Sequence, residues 1–174
     1  MFDKNIKIYG KYSDIIKKYS KDKQSSDQLK FTVTNNDGKT RDIYIFDTMI
    51  QCYMVAAMLG IVNKRTAEPD KDRTKSINIF AEVILKEENQ RNLNRIYQHM
   101  ILSEENDNSI DAKIKEAFSI NRNGSSEDQM ERINAYVRGG LEIIDEYFSK
   151  CSDYESVCNA IYDLLDSVSV FNEE

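Results

Sequence analysis

The chain has 174 residues, of which 40% are apolar and 31% charged, with one proline and six glycines. That size and balance suit one globular domain with a real core and exclude wholesale disorder. So few turn-forming residues also argue against an all-β sandwich. The net charge of −6 is uneven: residues 125–174 carry a balance of −9 and the other 124 a balance of +3. Such asymmetry is expected either of a partner-facing surface or of solvated helix faces.

No apolar run reaches the roughly 18 residues of a membrane span. The N-terminal MFDKNIKIYGKYSDIIKK lacks the continuous apolar stretch of a signal peptide, so a cytoplasmic location is expected. Cys52, Cys151 and Cys158 are odd in number, form no CxxC pair and sit in helix-like apolar stretches. They read as free, small apolar side chains, not as a disulfide framework or a zinc site.

In chain order, residues 1–27 read as an arm with a short helix from Tyr12 to Tyr19 and a polar loop after it. Leu29, Phe31 and Val33 alternate with polar residues, NNDG (Asn35 to Gly38) tolerates positive φ, and RDIYIF (Arg41 to Phe46) resumes the β pattern. Residues 28–46 are therefore expected to form a β-hairpin, which needs a helix or another sheet to lie on. Asp47 reads as the N-cap of the most apolar helix, through Met49, Ile50, Tyr53, Met54, Ala57 and Met58, with Gly60 as its left-handed terminus.

Ile61 to Lys75 is charged, holds the proline and reads as an exposed loop. Apolar patterning returns through Ile77, Phe80, Ala81, Ile84 and Leu85, and continues through Leu93, Ile96, Tyr97, Met100 and Ile101. Asp107 to Ile120 reads as an amphipathic helix with Ile110, Ile114, Ala117 and Phe118 on its apolar face, and NRNGSS (Asn121 to Ser126) as a loop. Ser126 with Gln129 has capping-box spacing ahead of a long helix striped by Met130, Ile133, Val137, Gly140, Ile144 and Tyr147. Ser152 with Glu155 repeats that spacing before a last helix lined by Val157, Ile161, Leu164, Leu165 and Val168. The whole reads as mainly α: a helical bundle over 47–174 with an N-terminal β-hairpin, in a single domain.

Chemistry is harder to place. His99 is the lone histidine, and no GxxxxGK[ST], GxGxxG or GxSxG occurs. The adjacent pairs Glu87–Glu88, Glu104–Glu105, Asp145–Glu146 and Glu173–Glu174 point about 100° apart on a helix and do not converge. SEENDNSID (Ser103 to Asp111) lacks the glycine and closing glutamate of a calcium loop. Gly139–Gly140 inside a helix costs roughly 1 kcal/mol per glycine, which implies close approach of another element or a kink that shapes a partner groove. Lys64, Arg65, Lys71, Arg73 and Lys75 cluster in one loop and could contact phosphates, diluted by Glu68, Asp70 and Asp72.

Two segments, FDTMIQCYMVAAMLGIVNKRTAEP (Phe46 to Pro69) and INAYVRGGLEIIDEYF (Ile133 to Phe148), together resemble the small accessory proteins associated with prokaryotic DNA phosphorothioation (Dnd) defence systems. Val62 stands where that family often carries an extra glycine or asparagine around the basic loop, and Arg138 where it often carries an asparagine before the glycine pair. The departure widens the resemblance to small subunits of other defence operons, such as those built around an SMC-like or other DNA-handling ATPase. The resemblance implies a non-enzymatic accessory subunit of an anti-phage or DNA-processing complex. It would act through protein partners from the same operon, with no cofactor, metal, membrane or small-molecule substrate, and DNA contacted only within the complex. Tyr136, Arg138, Gly139, Gly140, Asp145 and Glu146 are its candidate partner-binding residues. Two alternatives are a nucleic-acid-binding regulator using Lys64 to Lys75, and a hydrolase or nuclease whose carboxylates converge only in the fold.

Overall fold

The computed structural model describes residues 2–22, 26–106, 108–118 and 127–169. The expected NRNGSS loop and the Ser126 cap lie outside them. Among the described residues seven helices carry most of the chain, as expected of a mainly α protein, together with two separate two-stranded sheets.

The most apolar stretch forms α2 (Met49–Val62), which lies antiparallel against the longest helix, α6 (Glu127–Phe148). Small residues set how close they come. A Cβ on Gly140 would stand 1.8 Å from the Ala56 carbonyl oxygen, and one on Gly60 would stand 2.0 Å from that of Tyr136. Gly139 meets the Arg65 carbonyl in the same way, at 2.1 Å. The glycine pair is thus explained by close helix approach, and its cost in helix propensity is offset by backbone packing that no side chain would permit.

Two helix ends differ from expectation. The N-cap of α2 is Thr48, not Asp47: its hydroxyl accepts from the Gln51 N–H (3.3 Å) while the Gln51 side chain accepts from the Thr48 N–H (3.1 Å). Only Thr48 has a Gln three residues on, which makes the reciprocal pair possible. Gly60 does not end the helix either. The chain turns at Lys64, which adopts φ 50° while the Arg65 N–H returns to the Gly60 carbonyl (2.8 Å).

The expected N-terminal arm belongs to the core. β1 (Ile6–Tyr9) pairs antiparallel with β4 (Ser76–Ile79), Ile6 opposite Ile79 and Ile8 opposite Ile77. α1 (Gly10–Tyr19) follows at once, with Tyr12, Ile16 and Tyr19 buried. Its first turn holds no acidic residue, so Asp70 supplies one from the loop, accepting the Lys11 N–H at 2.7 Å.

The hairpin forms as expected: β2 (Lys30–Thr34) pairs with β3 (Thr40–Tyr44) across a turn in which Gly38 takes φ 76°. It is tied to the end of α1, with the Phe46 N–H donating to the Tyr19 carbonyl and the Leu29 N–H to that of Lys18. Leu29 and Phe31 pack on the core. α3 (Ala81–Ile84) and α4 (Glu87–Ser103) follow β4, α4 burying Leu93, Ile96, Tyr97, Met100 and Ile101.

α5 (Ile110–Phe118) packs on α4 but buries only Ala117; Ile110, Ile114 and Phe118 face solvent, against expectation. α7 (Tyr154–Ser169) buries Val157, Ala160 and Leu164 and leaves Ile161 and Leu165 outside. It is capped by Asp153, whose carboxylate accepts the Ser156 N–H at 2.7 Å, in place of the expected Ser152 box.

Candidate functional site

Part of the charge asymmetry of the sequence is resolved within the chain. On α6, Glu142 accepts from Lys11 (2.8 Å), Tyr12 (3.2 Å) and Arg65 (3.1 Å). Arg65 also grips Glu146 with both terminal nitrogens (2.8 and 2.7 Å). Asp145 accepts from Tyr19 (2.6 Å) and Lys18 (3.0 Å). The acidic C-terminal half therefore pairs with cations from the N-terminal half.

Burial works to raise the pKa of Asp145, but the hydrogen bonds from Tyr19 and Lys18 outweigh it and hold the value below the usual carboxylate range. Glu142 is lowered in the same balance, by Lys11 and Arg65 against burial. A folded pKa below the unfolded one gives stability that is present above the unfolded value, about pH 4, and lost as pH falls through the folded value. Asp145→Asn is expected to lower stability at neutral pH and flatten the acid side of the stability profile. Chemical denaturation at a series of pH values checks this; an unchanged acid slope contradicts it.

The other sequence-predicted residues are mostly engaged as well. Lys64 pairs with Glu105, Lys75 with Asp14 (2.7 Å), and the Arg73 guanidinium lies 4.4 Å from the centre of the Tyr9 ring. Arg138 is 7% exposed; its Nε donates to the Ala67 carbonyl (2.7 Å) and Nη2 to Glu131 (2.6 Å). Gly139 and Gly140 are buried, and Tyr136 is half-buried. Lys71 and Glu142 line an open cleft with Lys11, Glu68 and Asp70. Three carboxylates meet there, but Asp70 is taken by the amides of Lys11 and Asp72, and Glu142 by three donors. Among the described residues no three His, Cys, Asp or Glu side chains are grouped to hold a metal ion. The Cys52 thiol is buried, which pushes its pKa up to about 12.

What the sequence reading missed is an apolar face on the opposite side of α2. A groove of about 440 Å³ runs between α2 and α4, lined by Met54, Val55, Met58 and Val62 on one wall and Asn92, Arg95 and Ile96 on the other. Val168 of α7 also lines it. From there Tyr154, Cys158, Ile161, Leu165 and Val168 recur at steps of four and three along α7, so they share one stripe. Tyr154, Ile161 and Leu165 on it are 54%, 40% and 59% exposed. Val168 belongs both to this stripe and to the lining of the groove.

Charged residues stand on two of the helices that line the groove. On α4, Arg91, Arg95 and His99 stand exposed at four-residue steps. None of the three forms a salt bridge among the described residues. On α7 the charged residues are Glu155, Asp163 and Asp166, with no base. No protein-family model, curated protein or solved structure matches this chain. No helix among the described residues is long and apolar enough to cross a membrane.

Proposed function

We propose that the protein works as a non-enzymatic docking subunit, and that the groove and ridge formed by α2, α4 and α7 are its working face. The carrying observation is the apolar groove together with the exposed apolar stripe of α7 that reaches it at Val168. Isolated exposed apolar residues are ordinary, but an apolar groove with Arg95 in its wall, reached by a striped helix, is what interfaces present. The resemblance of 46–69 and 133–148 to defence accessory proteins supplies the setting: an anti-phage or DNA-processing complex in a prokaryotic cytoplasm, in which this subunit has no activity of its own and is held by neighbour-encoded subunits. Those two segments are the helices that cross at the glycines, so the likeness speaks for a shared helix pair.

A nucleic-acid-binding role for Lys64 to Lys75 draws less support, because Lys64, Arg65 and Lys75 are each paired with carboxylates. Purification from the native host tests the proposal. The wild-type chain is expected to retain an operon-encoded or identical partner that Leu165→Glu loses while keeping its helical content. Equal retention by both proteins, or by neither, contradicts it.

A further inference from the structure

A pocket of about 110 Å³ shares no lining residue with the groove, so what it binds is independent of the docking reading. Three elements close on it: Lys7 and Tyr9 of β1, Arg73 of the loop before β4, and Asn134 and Arg138 of α6. The Tyr9 ring gathers two of the cations, the Arg73 guanidinium at 4.4 Å and the Lys7 ammonium at 5.2 Å from its centre. Neither forms a salt bridge among the described residues.

The lining is rich in donors that have no acceptor. Arg138, 7% exposed, donates through Nε to the Ala67 carbonyl and through Nη2 to Glu131. Its Nη1 has no hydrogen bond among the described residues. Asn134 accepts the Tyr53 hydroxyl on Oδ1 (2.9 Å), and its Nδ2 is likewise unengaged. Donors withdrawn from solvent cost free energy unless an acceptor reaches them. Two carboxylates also line the pocket. Both oxygens of Asp70 are taken by the backbone N–H groups of Lys11 and Asp72 (2.7 and 2.9 Å). Glu131 gives one oxygen to Arg138 and keeps the other. Three cations against two carboxylates leave a positive charge unmatched.

We propose that this pocket binds a phosphate group, held by Lys7, Arg73, Arg138 and Asn134, with Glu131 accepting the hydrogen that the ligand carries. Free phosphate keeps at least one P–OH at neutral pH, a donor suited to the second Glu131 oxygen; sulfate has none. The acid in the lining thus selects between two oxyanions of the same shape. Size points the same way. The volume equals about four waters at roughly 30 Å³ each, room for one tetrahedral oxyanion. Pockets for drug-sized ligands hold about 300–1,000 Å³, so a ring carried on the phosphate stays outside.

Isothermal titration calorimetry of the full chain tests this with inorganic phosphate, sulfate, and glucose 6-phosphate beside plain glucose. Phosphate is expected to bind at one site with a Kd of about 1 mM or tighter, and sulfate about tenfold more weakly. Lys7→Gln and Arg73→Gln, both at exposed positions, are each expected to weaken phosphate about tenfold and leave the urea midpoint unchanged. Asn134→Asp is the sharper variant. It keeps an oxygen for the Tyr53 hydroxyl and replaces the donor with a charge that repels an anion. If it fails to fold, the two exposed variants decide the matter. Binding of free phosphate alone assigns the pocket to the ion. Binding of glucose 6-phosphate as well or instead, lost in the same variants and absent with glucose, assigns it to a phosphate end group. Binding of neither, equal binding of sulfate and phosphate, or binding that the variants leave unchanged overturns the proposal.

Discussion

Gly140→Ala is expected to destabilise the protein by about 2 kcal/mol or more, the size of effect that overpacking a tight contact produces. Helix propensity alone predicts the reverse, a gain of about 1 kcal/mol for alanine over glycine inside a helix. The two effects differ in sign, which makes the substitution decisive. At 1.8 Å from the Ala56 oxygen, the new methyl would meet backbone, so relief requires α2 and α6 to move apart. Separation would loosen the packing of Ala56, Val137, Leu141 and Ile144, all fully buried. Urea denaturation of the variant measures the sign directly, and any gain in stability would show that the helices are not in backbone contact there.

Arg138→Met should have the second largest effect. It keeps the apolar stem and removes the guanidinium. Replacing a buried ion by an apolar side chain can be neutral when both partners go, but here both partners remain. Glu131 is more than half exposed and rehydrates at little cost. The part-buried Ala67 carbonyl is the group that loses a charged donor, and the about 1–3 kcal/mol that a fully buried unsatisfied acceptor costs is the upper bound on the loss. Ala67 also donates its own N–H to the Ala135 carbonyl (3.0 Å), so this residue pins the 65–75 loop to α6. Hydrogen exchange should therefore quicken at Ala67 and its loop neighbours more than in the centre of α2. Uniform loss of protection, or none, would contradict a local anchoring role.

Much of the fold was legible because its signals are local. The hairpin announced itself by alternation around NNDG, and α2 by its unbroken apolar content. Even the Thr48 cap was readable, since Gln51 lies three residues on, whereas Asp47 has Ile50 at that offset. β1 and β4 were not, because four-residue strands carry too few alternations and their pairing joins positions some 70 residues apart. The α7 stripe was misassigned for a related reason. Two adjoining faces of that helix are apolar, and Ala160 on the buried one attracts less notice than Ile161 and Leu165 on the exposed one.

The candidate site was less legible still. Basic residues in the 64–75 loop looked free in sequence because the carboxylates that pair with most of them lie far away along the chain, at Asp14, Glu105, Glu142 and Glu146. The groove is invisible to any single-helix pattern, since its lining comes from α2, α4 and α7. Only the spacing of Arg91, Arg95 and His99 was available beforehand.

On the proposed function, the groove and ridge are covered when the protein works. Hydroxyl-radical footprinting in extract of the native host tests it most directly, comparing the wild type with Leu165→Glu. Met58, in the groove, should be oxidised more slowly in the wild type, while fully buried Met100 should react alike in both. Equal oxidation of Met58 in the two proteins would contradict the claim.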